Sequence, residues 1–206
     1  MKKIGFLICA LTLVFGASCK QSEKKEASEV ETEVTTEVET SAKKEALVLN
    51  DSLRFTAFKT PKKVGVNGTF TEINLSDYNE DKSNITDILT GAGFSIATAS
   101  VNSGDPARDA KLKTFFFDNL ASDKISGTFK SFDGEKAVVE LQMNGVTKDV
   151  TFDAHTTDSE VTLKGSIDMI EDFTANKAFQ AIHEACKVLH EDKTWTDVEL
   201  YISVSK

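Results

Sequence analysis

The sequence predicts a mainly β protein, an antiparallel eight-stranded barrel with short helical insertions, on three observations. Between residues 53 and 204, eight runs alternate apolar with polar side chains at the strand period of two. Asn144-Gly145 stands between two of these runs, and this pair suits the positive φ angles of a type I′ hairpin turn. The final run is the cleanest: Val198, Leu200, Ile202 and Val204 share one face, while Glu199, Tyr201, Ser203 and Ser205 share the other. Eight antiparallel strands can close into a barrel whose interior either packs solid or holds one ligand, and the pattern leaves both open.

From the N-terminus, Lys2 and Lys3 precede a largely apolar stretch over residues 4–15, and Gly16-Ala17-Ser18 then leads into Cys19. That order is the one found in a lipoprotein signal peptide. A membrane span needs roughly 20 apolar residues, and the polar run from Lys20 cuts this one short. Residues 1–18 are therefore expected to be removed, and Cys19 to carry the acyl chains that anchor the protein to a membrane. Gly16 replaces the leucine usual in such leaders, so cleavage to a soluble product stays open. The expected location is the bacterial cell envelope, on the outer membrane, with the face undetermined. Loss of Cys9 and acylation of Cys19 leave Cys186 as the thiol of the folded part, so no structural disulfide is available.

Residues 19–48 read as an acidic tether. From Lys20 onward they hold eight Glu and five Lys, many Ser and Thr, and no aromatic residue, Gly or Pro, too little apolar surface to fold alone. As a flexible coil this stretch reaches ~30 Å. Residues 49–206 are enough for one well-filled core and form one domain.

Within that domain the strands fall at residues 53–59, 64–75, 94–101, 125–132, 137–143, 149–154, 161–169 and 198–204. A short helix is expected over 84–89, after the acidic loop Asp77–Asp81, where Lys82 and Ile88 occupy the glycine and glutamate positions of a calcium loop. Asp105-Pro106 opens a second helix, with Asp105 as its cap and Pro106 in the first turn. Gly165 interrupts its strand and reads as a bend or bulge. A third helix over 177–191 carries Phe179, Ile182, Cys186 and Leu189 on one stripe, to pack across the barrel.

The inward set would include Phe55, Phe70, Phe94, Phe129, Phe152, Leu163, Met169 and Leu200, either as plain core or as the wall of a ligand cavity. Fourteen Phe against one Trp and two Tyr suit a dry wall, since Phe offers area with no polar group to satisfy. His183, Cys186 and His190 lie near one helical stripe, but seven residues on a helix span ~10.5 Å, so one ion would not easily take both histidines. No metal or cofactor is expected. No Walker motif, Gly-rich dinucleotide turn, GxSxG elbow or HExxH is present, and the chain is not read as an enzyme. The net charge of −9 becomes −9 − 2 = −11 without Lys2 and Lys3, which argues against nucleic acid.

Several segments resemble the YceI-like family in order along the domain. Asn144-Gly145-Val146-Thr147-Lys148 resembles its central hairpin, and Phe55-Thr56-Ala57-Phe58 with Gly68-Thr69-Phe70 its opening one. The run from Ser100 to Asp109 resembles the family's stretch after a strand, although Lys111 and Phe116 stand where that stretch commonly has His and Asp. The run from Gly165 to Phe173 and the closing strand fit as well. The resemblance implies a lipocalin-like barrel that binds a polyisoprenoid or other long-chain lipid in the envelope. A solid-core protein-interaction module is the alternative, and an enzyme built on Cys186 with His183 or His190 a third; a homodimer stays open.

Overall fold

The computed structural model describes residues 47–206. The expected leader, Cys19 with its expected acylation, and almost all of the expected tether lie outside the described residues. Ten strands form one antiparallel sheet, where eight were expected: β1 (Asn50–Lys59), β2 (Val64–Phe70), β3 (Ile73–Ser76), β4 (Gly93–Ala97), β5 (Val101–Asn102), β6 (Lys124–Asp133), β7 (Lys136–Met143), β8 (Val146–Thr156), β9 (Glu160–Asp168) and β10 (Thr194–Ser205). The neighbour order is β3-β4-β6-β7-β8-β9-β10-β1-β2-β5.

The extra strands come from two expected strands that break where the sheet turns a corner. Residues 64–75 divide into β2 and β3, and residues 94–101 into β4 and β5 around the 3₁₀ turn Thr98–Ser100. Ser100 fills the break: its carbonyl accepts from the Thr71 N–H at 3.0 Å and its Oγ from the Glu72 N–H at 3.1 Å. Phe70 pairs with Val101 on one side of the corner and Ile73 with Ile96 on the other. The two ends of the strand order are thus one bent hairpin, and the sheet curls round on itself as a lipocalin-like barrel does.

Three helices complete the fold: α1 (Ile85–Leu89), α2 (Pro106–Lys111) and α3 (Asn176–Cys186). Asn84 caps α1, its side chain accepting from the Thr86 N–H at 2.9 Å. Ile85, Ile88 and Leu89 are fully buried, and the Ile85 N–H reaches the Asp158 carbonyl in the β8–β9 turn at 3.2 Å, so α1 plugs that end of the barrel. At the other end α2 starts at Pro106, capped by Asp105, and runs into a π-helical turn, Leu112–Phe116, that packs against α3. The turn spreads consecutive phenylalanines over different surroundings: Phe117 is buried with its ring 5.7 Å from Phe70, Phe116 is half-buried, and Phe115 is exposed. The helix expected to reach residue 191 stops at Cys186, and Leu189, read as part of its buried stripe, is 64% exposed.

The Asn-Gly hairpin does more than turn the chain. Asn144 and Gly145 hold φ of 53° and 76°, as a type I′ turn requires. The Asn144 side-chain amide donates to the Phe173 carbonyl at 2.9 Å, and its oxygen accepts from the Ala121 N–H at 2.9 Å. Lys148, on the following strand, pairs with Asp172. One five-residue segment therefore clamps the connection from β9 to α3 and the loop before β6. Asn144→Ala removes both hydrogen bonds and the side chain best suited to positive φ, and should cost about 2 kcal/mol. Urea unfolding at neutral pH measures it; an unchanged midpoint would mean the clamp contributes nothing.

Candidate functional site

The barrel interior is apolar but not filled. A cavity of about 380 Å³ opens between the sheet and the helical layer at the α2 and α3 end. That lies within the range of small-molecule sites. Its wall includes Phe55, Phe70, Phe94, Phe152, Met169 and Leu200. Phe129 borders a separate void of about 40 Å³ nearer the plugged end, and Leu163 borders neither. Both point inward at the strand period, but they pack beside the plug instead of along the cavity. The wall side chains Leu53, Ala57, Phe94, Leu200 and Ile202 are inward-facing yet only half-buried, because the area they keep faces the cavity.

Glycines keep the interior open. Phe55 lies across from Gly68 and Phe94 across from Gly127 in the strand register. A Cβ on Gly68 would sit 2.2 Å from the Phe55 ring, one on Gly127 2.5 Å from the Phe94 ring, and one on Gly165 2.7 Å from the Phe152 ring. Each ring thus lies over a strand position that has no side chain, flat against the wall. Gly165 marks no bulge, for the pairing of β9 with β10 passes through Leu200↔Gly165 without a register shift. What it supplies is room for Phe152.

The mouth is polar, and the sequence did not assign its residues to a cavity. Lys59, Arg108, Lys111, His190, Thr194 and Trp195 border the cavity there with Asp105. Lys59 had a signal: counting by two from Leu53 through Phe55 and Ala57 puts it on the inner face. Lys111 had none, since its place depends on how α2 lies over the barrel. The two histidines are not separated by two helical turns, because α3 ends at Cys186 and the chain turns back. His183 Nδ1 and His190 Nδ1 both reach the Thr194 hydroxyl, at 3.1 and 3.0 Å. Cys186 is a buried thiol on the cavity wall. Among the described residues, no group of three or more His, Cys, Asp or Glu converges as metal ligands would.

A family model described as the YceI-like domain matches residues 48–205, the whole barrel. The chain belongs to the YceI-like family. Among curated proteins none matches it. Of solved structures, a polyisoprenoid binding domain from Saccharophagus degradans implicated in plant cell wall breakdown superposes with a TM-score of 0.53 at 16% identity. That match covers 75% of this chain and 91% of the other, and it shows the same fold. BcnA of Burkholderia cenocepacia gives 0.49 at 14% identity, over 76% and 96% of the two chains. The YCEI protein of Campylobacter jejuni gives 0.46 at 21% identity, over 68% and 84%.

In this YceI-like barrel His190 is held below its ordinary pKa of 6.5, first by burial, then by the charges of Lys59, His183 and Lys111. The unfolded chain then takes up the proton at a higher pH than the folded one. Stability from this group is complete above about 6.5 and is lost as the pH falls through the lower folded value. The urea midpoint should fall between about pH 7.5 and about pH 5.5, and His190→Gln should flatten that part of the profile. An identical slope in the variant would place the titrating group elsewhere.

Proposed function

We propose that this chain is a non-enzymatic binding protein of the bacterial envelope that holds a polyisoprenoid or similar long-chain amphiphile in its barrel, tethered to the outer membrane through an acylated Cys19. The cavity carries the reading: an apolar space of about 380 Å³ opens through a polar mouth, in a barrel whose far end is packed around α1. This asymmetry suits a molecule that enters tail first. The six residue-to-residue steps from Leu53 to Lys59 along the wall, at ~3.3 Å each and tilted by ~40°, give a depth of ~15 Å. Family membership agrees, and the Saccharophagus degradans domain of the same fold is a polyisoprenoid binding domain. A solid-core interaction module would need an interior without this space.

About twenty buried tail carbons at ~0.3 kcal/mol each give ~6 kcal/mol, or tens of micromolar before any headgroup contact. Trp195, the one tryptophan of the chain, borders the mouth, so its emission should report occupancy. Titrating delipidated protein with geranylgeraniol should give a saturable change at one ligand per chain. Ala57→Phe, which projects a ring into the cavity from β1, should weaken binding about tenfold or more while the protein stays folded. A folded wild type with no saturable change would overturn the proposal.

A further inference from the structure

We infer that the mouth of the cavity is a site for an acidic headgroup, so that the bound molecule is an amphiphile ending in a carboxylate or a phosphate. The inference rests on the ligand-holding reading and names the chemistry at its polar end. Its basis is a concentration of positive charge where the cavity of an acidic protein opens. The whole chain carries −9, yet the charged side chains bordering the cavity are Lys59, Arg108 and Lys111 against one carboxylate, Asp105.

Asp105 is already engaged. Its oxygens accept from the Ala107 and Arg108 N–H groups at the start of α2 and meet the Arg108 guanidinium at 3.5 Å. Lys59 and Lys111 are left in excess, and among the described residues neither has a carboxylate within salt-bridge distance. Other lysines nearby do find partners: Lys63 meets Asp197 at 2.8 Å, and Lys187 meets Glu184 and Asp192. Lys59 and Lys111 come from two different elements that border the mouth, the end of β1 and the end of α2, and both are half-buried. Both act on the same imidazole, His190, which brings them to one locality.

Two half-buried lysines bordering an apolar cavity without a counter-charge are arranged for an anion supplied from outside. Thr194 adds a hydroxyl at the same rim, and the rings of His183 and His190 orient it. A neutral head would leave both ammonium groups as they stand. A carboxylate or phosphate would accept charge-assisted hydrogen bonds from them while its tail fills the space below.

The full chain, delipidated, is titrated with three ligands that share one tail: farnesol, farnesoic acid and farnesyl monophosphate. We expect at least one acidic ligand to bind about tenfold or more tighter than farnesol, and the tighter acid tells carboxylate from phosphate. Raising the salt from about 0.02 M to about 0.5 M should shrink the ratio in the wild type. Lys59→Met with Lys111→Met should bring it towards one, while Lys63→Met, outside the cavity, should leave it unchanged. Equal or tighter binding of farnesol by the wild type, or a ratio that survives loss of both lysines, overturns the headgroup site but leaves the ligand-holding reading standing. Binding of none of the three removes both.

Discussion

An inward face that must be apolar without being full is the constraint on which this barrel depends. Phenylalanine supplies the apolar area, and a ring projecting to the barrel axis would close the space it lines. The pairs Phe55–Gly68, Phe94–Gly127 and Phe152–Gly165 resolve the conflict by laying each ring over a backbone position with no side chain. Rings then contribute their area to the wall rather than to the interior. A barrel of this strand number is narrow enough to pack solid when its side chains meet at the axis, so small residues at chosen positions decide between a core and a cavity.

The two ends divide the remaining work. One end is dry: α1 delivers three fully buried side chains, and Leu163, Phe129 and Val204 pack around it. This end is a conventional core, in which close-packed apolar side chains stabilise the fold. The other end has an irregular layer, α2 with its π-helical turn and α3 with its early stop, and this layer sets the polar mouth over the apolar wall. The Asn144 clamp and the Lys148–Asp172 pair hold the chain that leads from β9 into α3, so the hairpin that most helps the fold also positions the mouth.

Much of this was legible in the sequence, for physical reasons that can be named. Period-two alternation located the eight expected strand segments, though not where two of them break, and Asp105 and Asn144-Gly145 marked their cap and turn positions because short polar side chains satisfy local backbone groups. What stayed hidden depends on the chain meeting itself. The corner in residues 64–75 requires the Thr98–Ser100 turn to lie opposite, and nothing local marks it. Inwardness could be read for Phe129 and Leu163, but not their depth, which separates plug from cavity. The glycine at 165 looked like a backbone device and is a steric one, since its partner ring belongs to another strand. The amphipathic stripe ran past the true end of α3 because Leu189 continues the pattern, although it is largely exposed.

The most direct test of the account is whether the cavity is occupied in the cell. The protein, produced in a bacterial envelope and purified without detergent, is extracted with organic solvent, and the extract is weighed against protein by mass spectrometry. One long-chain amphiphile per chain is the predicted result. A folded protein whose extract is empty, and stays empty after incubation with envelope lipids, would contradict it.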